Sequence, residues 1–307
     1  MVGIDEAGRG SVLGPMVYGM AYWNGADDAA IPKDFQDSKQ LTESKRSQLF
    51  QTILQTPSMG WGVRVLPASE ISRNMLRPEP YNLNQMSHDA AIQLIRQLQA
   101  DMTEENSHGL FIDTCFIDTV GNPESYTRRL EAEFPGIQFV VESKADAKYA
   151  VCSAASVVAK VMRDALLENW KFSEPQLQKE QQQQQDDDDE DKGATTMALS
   201  TSFGSGYPSD PICKKWMDDN LRCKVFGYPD IVRFSWGPAK KALQKDAYDV
   251  TFLADEEDDE NGGEFVLKKR QQEQMNIFLC KASAAPRKRK RYPFFEKRGL
   301  EIVTQLD

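Results

Sequence analysis

Two adjacent carboxylates, Asp5 and Glu6, close the first apolar run of the chain in "MVGIDEAGRGSVLGP", and Gly8-Arg9-Gly10 follows at once. Acids abutting hydrophobic residues are expensive to bury unless something cationic compensates them. Two more aspartates stand in comparable places. Asp118 ends "FID" ahead of the turn-rich "TVGNPES", and Asp146 lies after "FVVES", just before the helical "SAASVVAK". All four sit where a strand-type run gives out, the place where open α/β sheets gather their ligand sites. Carboxylates without histidine or thiolate make a hard, oxygen-only donor set suited to Mg²⁺ or Mn²⁺. Two such ions about 4 Å apart clamp the attacking and leaving oxygens of a phosphodiester. Taken singly, each acid has the alternative of being a solvated strand-end residue. Asp113 is set aside on that ground, because its odd offset from Asp118 puts it on the other face.

The acids can act together only if a rigid frame positions them. "MVGI", "MVYGMAYW", "GLFIDTCFID" and "IQFVVES" read as strands. "TESKRSQLFQTILQ" carries Leu49, Phe50, Ile53 and Leu54 at helical spacing behind Thr42 as N-cap. "SHDAAIQLIRQLQA" repeats the pattern through Ile92, Leu94, Ile95 and Leu98 with Ser87 as cap, and "AASVVAKVMRDALLENW" is a third amphipathic helix. Strands first, then alternating helices and strands, predict an α/β fold with a mixed sheet and helices on its faces. Neighbouring residues of a regular strand point opposite ways. For Asp5 and Glu6 to share one site, the backbone is therefore expected to leave the ladder there, which the glycines that follow permit.

Composition removes several other chemistries. The 307 residues include only two histidines, His88 and His108, and five cysteines without CxxC spacing (Cys115, Cys152, Cys213, Cys223, Cys280). Histidine-centred triads, zinc sites and a disulfide framework drop out, and a reducing compartment fits best. No apolar run approaches the roughly 18 residues of a membrane span, so no membrane partner is expected. The net charge of −10 is uneven: 173–192 holds eight acids and two bases, 255–264 holds seven acids and no base, and 265–307 holds eleven bases and four acids. Charge alone neither proves nor forbids a nucleic-acid partner.

Residues 1–250 read as one domain interrupted at 173–200 by "SEPQLQKEQQQQQDDDDEDKGATTMALS", whose glutamine and acid runs predict a disordered surface insert. Residues 251–264 form an acidic linker, and 265–307 a tail.

Five blocks then become specific. "GIDEAGRGSVLGP", "DSKQLTESKR", "DTVGNPESY", "KADAKYAVCSAASVVAK" and "GSGYPSDP" occur in the order and spacing of type 2 ribonuclease H, and the chain resembles the catalytic subunits of its eukaryotic, heterotrimeric branch. The likeness covers about 1–172 and 201–250. It implies a ribonuclease H-like fold with a five-stranded mixed sheet, helices on both faces and a C-terminal helical extension. It makes Asp5, Glu6, Asp118 and Asp146 the metal-binding, catalytic acids of a site with two Mg²⁺ or Mn²⁺ ions. The implied reaction is hydrolysis 5′ of a ribonucleotide in RNA/DNA hybrids, or at single ribonucleotides in duplex DNA, leaving 3′-hydroxyl and 5′-phosphate ends. Gly8, Arg9 and Gly10 match the motif around the ribose 2′-hydroxyl, the group that separates RNA from DNA. Tyr207 matches a tyrosine that packs on the adjacent deoxyribose, and Lys39 a backbone-phosphate contact. His88 falls in a matching helix, where a structural capping role is expected. The alternative is a non-catalytic scaffold of the same fold.

The tail extends the resemblance. Two non-catalytic subunits, of B and C type, are expected to dock on the C-terminal region, where Tyr292, Phe294, Phe295, Leu300, Ile302 and Val303 are too apolar for a free end. The basic run Arg287 to Arg291 reads as a nuclear-import signal, a nucleic-acid patch or a solvated linker, and a nuclear location is expected. "QEQMNIFL" (272–279) is a weak match to a sliding-clamp-binding motif, lacking its second aromatic residue.

Overall fold

The computed structural model describes residues 1–32, 35, 42–104, 111–172, 199–221 and 227–248. Lys39, the acidic linker, the tail with its expected helical extension and nearly all of the Gln/Asp-rich insert lie outside these residues.

Five strands form one mixed sheet: β1 (Val2–Ala7), β2 (Met16–Trp23), β3 (Met59–Leu66), β4 (Thr114–Asp118) and β5 (Gln138–Glu142), in the order β3-β2-β1-β4-β5. The first three pair antiparallel, and β1-β4-β5 are parallel. The described α-helices are α1 (Glu43–Gln55), α2 (Ala68–Leu76), α3 (Leu83–Glu104), α4 (Pro123–Glu133), α5 (Ala145–Lys148), α6 (Ala150–Glu168), α7 (Pro211–Asp219) and α8 (Gly237–Asp246), with one 3-10 helix at Gly25–Ala30. None is long and apolar enough to cross a membrane.

Helix starts follow local chemistry. Thr42 caps α1 by accepting from Lys45 N at 3.3 Å. Asn122 and Asp210 cap α4 and α7, each followed by a proline whose missing N–H costs nothing in the first turn. Ser87 differs from expectation: α3 begins four residues earlier, at Leu83, and Ser87 sits inside it, fully buried.

The sheet is covered on both faces. On one, Ile4, Tyr18 and Ile117 pack with Met86, Ala90, Ile95 and Tyr126 from α3 and α4. On the other, α6 lies directly on β1 and β2. A side-chain carbon at Gly3 would fall 2.3 Å from Val151 carbonyl atoms, and one at Gly19 would fall 2.4 Å from Ala155 O. Glycine at these two positions lets helix backbone touch strand backbone. A further apolar cluster joins Val12, Leu13, Phe203, Trp216, Ile231 and Val232 beneath α7 and α8. Leu199 is buried in it, and Ser200 O accepts from Trp216 Nε1 at 2.6 Å, so the surface insert expected through residue 200 ends earlier than that.

Candidate active site

Three of the four acids collect at one end of the sheet. Ile4 lies beside Ile117 in the parallel ladder, which makes Asp5 and Asp118 the next neighbours along it. Asp118 Oδ1 accepts from Ala145 N at 3.1 Å, which ties β4 to the turn carrying Asp146. That turn is made by Lys144, the sole non-glycine residue with positive φ (61°) among the described residues. Such a conformation is sparsely populated and concentrates at functional sites. Asp146 is buried in α5, and the Cys152 thiol beneath feels the charges of Asp5, Asp118 and Asp146 together.

Glu6 behaves differently. Pairing of β1 with β4 ends at Ile4, just before the acids, but contrary to expectation its ladder with β2 continues through both, with Asp5 opposite Gly19 and Glu6 opposite Tyr18. The two carboxylates therefore leave on opposite faces. Asp5 turns toward α6, while Glu6 turns with Tyr18 toward α3. Burial pushes the Asp5 carboxyl up; the Ser156 hydroxyl opposes this, the Asp118 charge adds to it, and the Glu6 N–H donating at 2.7 Å works against it. Glu6 is pushed up by desolvation and then by Asp5, with Arg9 acting in the other direction. Among the described residues, no group of three His, Cys, Asp or Glu side chains is set to hold a metal ion as it stands. The donor set nonetheless suits a hard divalent cation. It consists of oxygens alone, two of its members are desolvated like charges, and Glu6 Oε2 is buried without a hydrogen-bond partner.

The glycine-arginine loop stands beside the acids. Gly8 has φ 78°, and a Cβ there would strike Arg163 Nε at 2.2 Å, so both conformation and space demand glycine. Arg9 donates through Nη1 to Ser87 Oγ at 2.6 Å and through Nη2 to Asn84 Oδ1, which fixes its side chain on α3. Tyr207 reaches the same place from the far end of the domain: its ring lies 3.5 Å from where a Gly10 Cβ would be. Gly206 O accepts from Val12 N at 2.9 Å and Leu13 N at 3.1 Å, which joins the two loops.

A family profile described as Ribonuclease HII matches residues 2–197. The chain belongs to the ribonuclease HII family. It is 41% identical over 309 residues to the A subunit of human ribonuclease H2, spanning 100% of this chain and 90% of that one. It is 35% identical to the Arabidopsis thaliana protein of the same name, over 100% of this chain and 95% of the other. The ribonuclease H2 of Pyrococcus horikoshii superposes with a TM-score of 0.58 at 27% identity, covering 80% of this chain and 97% of that one. The protein is thus a hydrolase, an endoribonuclease of the ribonuclease H class acting on RNA/DNA hybrids.

The ribonuclease HII frame also uses residues that sequence reasoning passed over. Arg233, fully buried, donates through Nε to Gly14 O and through Nη1 to Arg9 O, both at 3.0 Å. Trp236 Nε1 donates to Gly10 O at 3.3 Å. Arg163 donates to Ser205 O at 3.0 Å, with its guanidinium 5.3 Å from the centre of the Tyr207 ring. For Arg163 a signal existed, an arginine set among the apolar positions of α6; for Arg233 and Trp236 the pattern held none. His88 caps no helix. Its ring stacks on Tyr126 at 3.7 Å, and its Nε2 lies 3.2 Å from Val120 O.

Proposed function

We propose that this chain hydrolyses the phosphodiester 5′ of a ribonucleotide, in hybrids and at single ribonucleotides embedded in duplex DNA, leaving a 3′-hydroxyl and a 5′-phosphate. This activity would serve ribonucleotide removal from DNA and RNA-primer removal. The observation that carries it is the juxtaposition of Asp5, Asp118 and Asp146 with a loop, Gly8 to Gly10, braced against Tyr207. Asp5, Asp118 and Asp146 from one face, and Glu6 from the other, would hold two Mg²⁺ or Mn²⁺ ions. When bound, such ions supply activation of the attacking water and charge stabilisation at the leaving 3′-oxygen.

The chain's own groups supply position and selection. Arg9 is held at both ends, its side chain by Ser87 and Asn84 and its carbonyl by Arg233. It presents fixed backbone to a ribose 2′-hydroxyl, where a flexible loop would lose orientation. Tyr207, about one-third exposed, offers a ring face to the neighbouring sugar. Lys39 adds a phosphate contact that gives affinity without sequence reading. The C-terminal region takes two non-catalytic subunits, in keeping with relatives that are each named as one component of a multi-subunit enzyme. Residues 272–279 offer a segment for clamp docking, as an Archaeoglobus fulgidus ribonuclease HII, 25% identical with a TM-score of 0.52, forms a complex with PCNA. Nuclear import through Arg287 to Arg291 completes the reading.

The test is incubation of the full chain, alone and with candidate partner subunits, with Mg²⁺ and a duplex bearing one ribonucleotide. A single 5′ incision that disappears in Asp118→Asn is expected. Cleavage of an all-DNA duplex with the ribonucleotide duplex left intact would refute the reading, and tight binding without cleavage in any metal would favour a scaffold.

A further inference from the structure

Glu6 is the acid that the fold treats separately, and its surroundings are unusual. Glu6 Oε2 and Tyr126 Oη are buried without hydrogen-bond partners on the α3 side of the sheet, and Tyr18 Oη, buried on the same side, has the Ser87 hydroxyl for a neighbour while its own proton has no acceptor. Tyr18 is the direct cross-strand partner of Glu6 in the β1–β2 ladder, and a pair so placed shares a face with Cβ atoms about 5 Å apart. Tyr126, from the first turn of α4, comes down on that face from above, its ring fixed by stacking on His88 at 3.7 Å. Both tyrosines are fully buried. The Glu6 charge acts on each phenol, and desolvation pushes both well above the ordinary tyrosine range, so both remain O–H donors at any working pH.

Unpaired phenols in a core are costly, and phenylalanine would fill the same space without that cost. Two of them facing one orphaned carboxylate oxygen form a donor set matched to an acceptor. We propose that Tyr18 and Tyr126 are positioning residues for Glu6, their hydroxyls donating to its Oε2 through an internal water, so that its other oxygen is aimed at the metal centre. Ser87 extends the device. Its buried hydroxyl lies on the Tyr18 side of the cluster and accepts from Arg9 at 2.6 Å, so the carboxylate and the ribose-reading arginine are referenced to one another through the core. On the opposite face Asp5 has Glu6 N and the Ser156 hydroxyl and Asp118 has Ala145 N; Glu6 has this pair.

The inference rests on the metal-centre reading, and its experiment separates the two. Mn²⁺ binding to the full chain is followed by electron paramagnetic resonance for wild type, Tyr18→Phe, Tyr126→Phe and the double variant. Orienting partners of metal ligands typically contribute about 10–100-fold in affinity. Each single change is therefore expected to weaken Mn²⁺ about 3- to 10-fold, and the double change about 10-fold or more, with melting temperatures equal to or above wild type. In cleavage of a hybrid, the Mg²⁺ concentration for half-maximal rate should rise while KM for the hybrid stays put. Mn²⁺ affinities within twofold of wild type in both single variants would overturn the proposal. So would loss of affinity that appears only alongside a lowered melting temperature. A wild-type chain that binds no Mn²⁺ would instead remove the metal-centre reading itself, and one that binds Mn²⁺ normally yet cuts nothing would remove the activity and leave this inference standing.

Discussion

Replacing Gly3 by alanine tests whether the site depends on the close seating of α6 on β1. The added methyl would lie 2.3 Å from both the carbonyl carbon and oxygen of Val151 and 2.5 Å from Cys152 N, where ordinary contacts run 3.4–4 Å. These are backbone atoms in the first turn of a helix, so no rotamer change relieves them, and the helix must retreat by about 1 Å. Overpacking of this kind costs about 1–3 kcal/mol, and a rigid obstacle puts Gly3→Ala near the top of that range. For a domain of this size about 3 kcal/mol corresponds to a melting temperature lower by roughly 6–12 °C. The same retreat separates Asp5 on β1 from Asp146 ahead of α6, and a misplacement of about 1 Å near reacting groups can cost about 100-fold in rate. Gly237→Ala is the control: a methyl there meets nothing within 4 Å, so stability should move by less than about 0.5 kcal/mol. Thermal melts followed by circular dichroism, with cleavage of a hybrid measured well below the midpoint, check both numbers. A Gly3→Ala melt within about 2 °C of wild type, or a loss matched by Gly237→Ala, would refute the claim that direct backbone contact fixes the acids.

Asp5 and Glu6 both have carboxyls raised by folding, so the folded, metal-free chain holds protons that the unfolded one releases. Their stabilising contribution is full at low pH and is lost as pH rises from about 4 to about 8; Glu6→Gln should melt above wild type at pH 8 in chelator, the gap closing near pH 4, and a constant gap would contradict the assignment. Tyr207→Phe should keep most of the preference for ribonucleotide duplex over all-DNA duplex, while Tyr207→Ala loses it; equal losses would point to the hydroxyl instead of the ring. Cys115, Cys152 and Cys213 are buried, with burial holding each thiol above its ordinary range, so alkylation followed by mass spectrometry should leave all three unmodified in the native chain and label them after unfolding.

The frame is legible in the sequence where periodicity is strong. The β2 run, the α1 cap at Thr42 and the apolar face of α6 appear as the residues dictate. β3 is not legible as a separate strand because Gly60 and Gly62 dilute the alternation of an edge strand that takes its order from β2. The gathering of Asp5, Asp118 and Asp146 at one end of the sheet is legible from strand-end position, yet the ladder with β2 through Asp5 and Glu6 stays regular where a departure is expected. The reason is energetic: Gly19 and Tyr18 offer full pairing, and a kink would have to give up those hydrogen bonds for a convergence that bound cations can supply instead. Ser87 reads as a cap because a buried hydroxyl inside a helix and an N-cap hydroxyl look alike in sequence; only the presence of Arg9 overhead distinguishes them. Arg233 and Trp236 carry no local signal at all, since their partners lie more than two hundred positions away.

The two buried guanidiniums carry a consequence for how the domain divides its labour. The carboxylates and the Gly8 to Gly10 loop both come from the first 146 residues, but the carbonyls of Arg9, Leu13 and Gly14, in and just after that loop, are held by Arg163, 150 positions from Leu13, and by Arg233, 219 positions from Gly14 and 224 from Arg9. The proposed choosing loop thus follows closely on Asp5 and Glu6, but part of its bracing comes from a later stretch of polypeptide. Loosening the later stretch would blunt discernment first, leaving a blade that has lost its sense of which backbone it is meant to sever.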